Sequence, residues 1–174
     1  MKILGISGSA STKSSNFYLL QAITNLWKRQ HDIEVIDGLE GLKMFSPKAL
    51  EQGLPSSIKK IKNKVLEADL VLISTPEYSH NIPSCLKSLL EWCTASGEFY
   101  KKNVIPITFT PHQPRGKYAM KSLLMSLQSL QANLLFHLSL YKTEVEITHQ
   151  NVILNNDIEA MFQEVMKSIE IDLK

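Results

Sequence analysis

A chain of 174 residues is long enough for one domain with a sizeable core, and 44% hydrophobic with 21% charged residues is ordinary for a soluble globular protein. A formal net charge of +2 signals neither nucleic-acid binding nor an acidic tail. No apolar run reaches the length of a membrane span, and no signal peptide is expected at the N-terminus.

The chain opens on a short apolar strand, Ile3, Leu4, Gly5, Ile6, followed by small and hydroxylated residues from Ser7 to Asn16. Phe17, Leu19, Leu20, Ile23, Leu26 and Trp27 then stand at helical spacing. Ile33, Val35 and Ile36 predict a second strand. Asp37 to Gly53 reads as a loop punctuated by Gly and Pro, long enough to suggest function or cover for a sheet edge. Pro55 and Ser56 open a helix with Ile58, Ile61, Val65 and Ala68 on one face. Lys59, Lys60, Lys62 and Lys64 read as its solvated face.

Leu70 to Ile73 is apolar on both faces, the mark of a central parallel strand. The loop Ser74 to Pro83 leads to a helix with Leu86, Leu89, Leu90 and Cys93 inward. Cys85 and Cys93 lie roughly 12 Å apart along that helix, too far for a disulfide, and two reduced thiols fit a cytosolic protein. Val104 to Phe109 is a fourth strand, Thr110 to Gly116 a loop, and Met120 to Leu130 a helix. Leu134 to Phe136 is a short fifth strand, residues 138 to 152 have no clear pattern, and Ile158 to Ile169 form the last helix.

This alternation predicts one α/β domain over residues 1–174, a doubly wound parallel sheet with helices on both faces. In such a sheet the ligand binds beyond the carboxyl ends of the strands, at the switch point. The loops after the first, third and fourth strands are those ends. The first, strand then hydroxyl-rich loop then helix, aims free N–H groups at an anion, with Lys13 as a nearby charge. Its glycines, Gly5 and Gly8, match neither the dinucleotide fingerprint nor the triphosphate loop. With no nucleophile and no magnesium ligand, it suits holding a phosphate, not transferring it. A Ser-rich turn with a helix cap would use the same residues. Pro76, Glu77 and Tyr78 in the second loop suit the rim of a flat heteroaromatic ligand. There too Tyr78 could simply pack, Glu77 pair with a surface base and Asn81 cap a helix.

The stretches GSASTKSSN and PEYSHNIPSCLKSLLEW resemble the two site motifs of the NADPH-dependent FMN reductase family, and the likeness runs to about Leu134. The resemblance implies a flavodoxin-like five-stranded sheet of order 2-1-3-4-5. It implies that Ser9, Ser11, Ser14, Ser15 and Asn16 surround the FMN phosphate. Pro76, Glu77, Tyr78 and Ser79 would line the flavin ring, and Thr110, Pro111 and Gly116 would supply its third edge. It further implies NADPH or NADH as hydride donor, a small-molecule acceptor such as a quinone, azo dye, metal ion or free flavin, and a homodimer or dimer of dimers in the cytoplasm. Trp92, Phe99 and Tyr100 are candidates for a subunit contact or for burial within one chain.

Three departures stand out. Ser11 replaces the usual Arg, Ser79 replaces the usual Asn, and only Gly116 remains of a Gly-Gly pair, after Pro114 and Arg115. Arg115 could turn its charge toward the flavin or toward a nicotinamide cofactor's phosphate. No catalytic triad or metal-ligand set is found; His80 and His112 sit in site loops as conceivable proton donors. A flavodoxin-like electron carrier, or a family member with weak or lost FMN binding that acts as a scaffold, are the competing readings.

Overall fold

The computed structural model describes residues 1–172. Strands β1 (Lys2–Ser7), β2 (Asp32–Ile36), β3 (Leu70–Thr75), β4 (Asn103–Thr110) and β5 (Asn133–Leu134) form a parallel sheet in the order β2-β1-β3-β4-β5. This is the flavodoxin-like order. A sixth strand, β6 (Leu138–Tyr141), also pairs with β4, and β7 (Glu146–Thr148) with β8 (Asn151–Ile153) make a separate hairpin. Residues 138 to 152, patternless in sequence, thus extend the sheet edge and then fold back.

The sheet is buried on both sides, and side-chain alternation divides it. Leu4, Ile6, Val71, Ile73 and Val104 face one core. Helices α3 (Ser56–Glu67), α4 (Ser84–Trp92) and α5 (Lys117–Ser129) cover that face with Ile58, Leu89 and Leu123. Ile3, Leu72, Ile105, Ile107 and Phe109 face the other, under α1 (Ser15–Asn25) and α6 (Asn156–Asp172). The predicted helices therefore form, with one addition: α2 (Pro47–Glu51) inside the loop after β2, capped by the Ser46 hydroxyl. Cys93 falls one residue past α4, and both cysteines are free.

β4 pairs with β3 without interruption, from Asn103↔Leu70 to Thr108↔Thr75. On its other side Val104 pairs with Leu134 and Ile107 with Leu138, so the edge chain holds one extra residue between the two short strands. Pro106 lies opposite this break. With no N–H it cannot donate to a ladder.

One sequence expectation is corrected, and one alternative left open is decided. Lys62 is not on a solvated face: it is buried at 6% exposure, beside Glu98 at 5%. Its Nζ lies 3.2 Å from Glu98 Oε1 and donates to Trp92 O and Ser96 Oγ. Trp92 and Phe99 are core residues, whereas Tyr100 is exposed.

Candidate active site

The loop between β1 and α1 is fixed from three directions. Gly8 N–H donates to Ser74 O at 2.7 Å, tying the loop to the central strand. A Cβ on Gly8 would stand 2.7 Å from Leu86 Cδ2 and 3.2 Å from Ser74 O, so any larger residue there would have to displace the buried Leu86 side chain of α4. Farther along, Ser74 Oγ donates to Asn16 Oδ1 at 2.7 Å, both residues being buried. On the outer side, Leu39 N–H donates to Ser9 O and Lys13 N–H to Asp37 Oδ1. Gly38 packs beneath: with φ of +71°, its Cβ would meet Ser11 O at 2.7 Å. The long loop after β2 thus supports this loop.

Ser14 caps α1, its Oγ accepting from Phe17 N–H at 3.3 Å and lying 3.1 Å from Ser7 Oγ. The capping reading of this residue therefore holds, and it is compatible with a site. Tyr18 N–H returns to Ser14 O, which leaves the N–H groups of Ser15 and Asn16 without intrahelical acceptors. They add to the positive end of the helix dipole.

Beyond the carboxyl ends of β1, β3 and β4 lies a cleft of about 330 Å³. Ser9, Ser11, Ser14, Ser15 and Asn16 line one end. Pro76, Glu77 and Tyr78 follow, and Phe109, Thr110, Pro111 and Arg115 close the other side. Ten of the twelve residues singled out from sequence border this one space. Ser79 and Gly116 do not. Ser79 and His80 form a two-residue turn with φ of +49° and +58°, clasped by reciprocal bonds between Tyr78 and Asn81. This is the type I′ geometry, and it turns Ser79 away. Gly116 is buried behind the loop with φ of +96°; a Cβ there would press on Thr108 and Thr110. Lys13 does not border the cleft either.

Sequence reasoning missed Lys142, which also borders the cleft from a 3-10 turn just after β6. The missing signal was the strand itself: β6 is four residues, only partly buried, and shows no clean alternation. The cleft's one carboxylate, Glu77, is engaged. Its Oε2 accepts from the N–H groups of Tyr118 and Ala119 at 3.0 Å each, and Oε1 lies 3.7 Å from His80 Nδ1. His80 and His112 are exposed in their loops and do not border the cleft. Cys85, at the start of α4, approaches Gly8 O; burial pushes its thiol pKa up, which makes it a poor nucleophile. Among the described residues no group of His, Cys, Asp and Glu is placed to hold a metal.

A parallel sheet in this strand order, with a hydroxyl-rich loop at its switch point, belongs to the flavodoxin-like class. Residues 1–143 match the family described as NADPH-dependent FMN reductase, and the chain belongs to that family. It is 41% identical over 92 residues to the NADH-dependent flavin reductase subunit 2 of Lactobacillus johnsonii, a stretch covering 53% of this chain and 48% of that one. It is 32% identical over 116 residues to the NADH:(hydroxy)cinnamate reductase subunit CrdA of Vibrio ruber, covering 67% and 56%. The chain thus spans about half the length of the curated relatives it matches. The fold is that of FerB, a flavoenzyme NAD(P)H:(acceptor) oxidoreductase from Paracoccus denitrificans, with a TM-score of 0.79 at 18% identity over 97% of this chain and 95% of FerB.

Proposed function

We propose that the protein is an NAD(P)H-dependent oxidoreductase that works through bound FMN and reduces a small acceptor such as a flavin, quinone or azo compound. The observation that carries this reading is the meeting, in one cleft, of the α1 N-terminus with its hydroxyl loop and the two loops after β3 and β4. The donor set fits the cofactor: hydroxyls and free N–H groups at one end suit a phosphate, and the Pro76–Tyr78 backbone with Phe109 suits a flat ring.

In this reading Ser9, Ser11, Ser15 and Asn16 hold the phosphate. Ser14 holds the helix end at the same time. Asn16 has its Oδ1 fixed by Ser74, so its Nδ2 is the group left to donate. Pro76, Glu77 and Tyr78 border the ring, and Thr110 and Pro111 close its far side. Ser79 and Gly116 act one step back, by shaping the turns that carry Tyr78 and Arg115. FMN when bound supplies the hydride chemistry, so the protein needs to orient, not to attack. A cytoplasmic setting belongs to the same proposal. So does assembly as a homodimer, dimer of dimers or larger complex, in keeping with the subunit names of the two relatives.

The test is a visible spectrum of the purified protein before and after FMN addition and desalting, followed by steady-state NAD(P)H oxidation with a quinone. Retained flavin bands and turnover are expected. A protein that keeps no flavin and shows no turnover with FMN present would overturn the reading. A stable one-electron form on photoreduction without turnover would favour an electron carrier instead.

A further inference from the structure

The cleft has two ends of different chemistry. At the β1 end are hydroxyls and the N-terminus of α1. At the other end are two cations, Arg115 after β4 and Lys142 after β6. The strand path from β1 to β6 runs through β3 and β4. At about 4.8 Å per strand spacing, the backbone after β4 that carries Arg115 lies roughly 10 Å from β1, and that after β6 that carries Lys142 roughly 14 Å. One phosphate seated on the first turn of α1 does not extend across either distance.

Among the described residues, neither Arg115 nor Lys142 has a carboxylate within ion-pair distance. The nearby acids face elsewhere. Glu77 is bonded to Tyr118 and Ala119, and Glu144 turns its Oε2 to the N–H of Tyr141 at 2.9 Å. Arg115 is carried by a loop pinned at its base, where Thr110 Oγ1 donates to Arg115 O at 3.0 Å. Lys142 is half-buried, on the turn that follows the Thr110↔Tyr141 pair. Two unpaired cations on the wall of a cleft raise the local concentration of anions and favour their docking.

We propose that Arg115 and Lys142 form a second anion subsite, which takes an oxyanion carried by the hydride donor or by the acceptor. This rests on the reading that the β1 end holds the cofactor's phosphate. A phosphate monoester and a carboxylate share the required chemistry: the planar guanidinium meets two oxygens, and the ammonium adds a point charge. The phosphate source is the 2′-phosphate that distinguishes NADPH from NADH. The carboxylate source is an acidic aromatic acceptor.

The experiment uses the full chain and the variants Arg115→Gln, Lys142→Gln and their double. Dissociation constants for FMN and riboflavin are measured first, by flavin fluorescence. Adenosine 2′,5′-bisphosphate and AMP are then titrated into FMN-loaded protein by calorimetry. Last, KM is compared for NADPH against NADH, and for a carboxylated against an uncharged quinone. Each single variant should raise one of these KM ratios about tenfold, with FMN affinity within twofold of the parent. A change in the NADPH ratio, with loss of bisphosphate binding, assigns the subsite to the donor. A change in the quinone ratio assigns it to the acceptor. The proposal is overturned if neither ratio moves, or if the variants weaken FMN tenfold but not riboflavin, because the cations then serve the cofactor's own phosphate. Should the parent chain hold no FMN, the cofactor reading fails on its own. The subsite is then decided by binding of the bisphosphate and of a carboxylated quinone to the unloaded chain: binding of either that is lost in the double variant supports it, and binding of neither overturns it.

Discussion

Glu77 caps a helix to which it does not belong: its carboxylate accepts from Ala119 N–H at 3.0 Å, and from Tyr118 N–H, at the start of α5. Gly116, at the N-cap position, has no side chain to do this, and its φ of +96° excludes the residues that could. The loop after β3 thereby supplies what the loop after β4 lacks. Replacing Glu77 by Ala should lower stability by about 1–2 kcal/mol, and by Gln about half as much, since the amide keeps an acceptor but not the charge. Urea unfolding with an unchanged slope measures this; a Gln variant as stable as the parent would show that the charge is irrelevant, and one as unstable as the Ala variant would show that the charge is the whole effect.

The Ser79–His80 turn places two residues with side chains in left-handed backbone. Type I′ turns favour Asn then Gly at these positions. The pair of substitutions Ser79→Asn and His80→Gly should raise stability by about 1 kcal/mol. His80→Gly also removes the edge contact with Tyr118, 4.8 Å between centroids, and the approach to Glu77. Ser79→Asn alone therefore isolates the backbone effect, and a thermal midpoint that fails to rise in that variant contradicts it.

Lys62 and Glu98 are charges enclosed by the core, with side-chain exposures of 8% and 5%. Glu98→Gln leaves an unbalanced ammonium there and should cost about 3–5 kcal/mol. The double variant Lys62→Met with Glu98→Leu should recover most of that loss, because it removes both charges. A double variant no better than the single one, by denaturant midpoint, would mean that the lost bonds to Trp92 O and Ser96 matter more than the charge.

Cys93 lies beside Glu98, and its thiol pKa is pushed up to about 12, first by burial and then by the carboxylate. The unfolded thiol ionises near its ordinary value of 9.0. Above that pH the unfolded chain binds fewer protons than the folded one, so stability falls as pH rises. This group contributes a slope of about 1.4 kcal/mol per pH unit from roughly pH 9 upward, and nothing below it. Unfolding free energies across that range, for the parent and Cys93→Ala, should differ by this slope. A thiol reagent should also leave Cys93 unmodified until denaturant is added.

Much of the sheet was legible because its central strands are unbroken apolar runs, as at Leu70 to Ile73, and buried parallel strands have few other compositions. The cleft was legible for a topological reason: once the alternation fixes a parallel sheet, the ends of the first, third and fourth strands converge. What escaped was contact made over long separations. Lys62 stands in a lysine-rich helix, and nothing local shows that Glu98 waits 36 residues on to bury it. Glu77 and Ala119, or Gly38 and Ser11, meet only through the fold. Lys142 was hidden because the strand before it is short and half-exposed, below what alternation can register.

Pro106 divides the outer border of the sheet into two short strands, of two and four residues, that cannot be read through as one. An incoming strand from another molecule needs a run of free N–H and C=O groups in one register. On this border it meets a change of register before it has bonded more than a few residues. The same proline that denies β4 a continuous neighbour thus guards the protein, on that side, against growing into a fibril or a shared sheet.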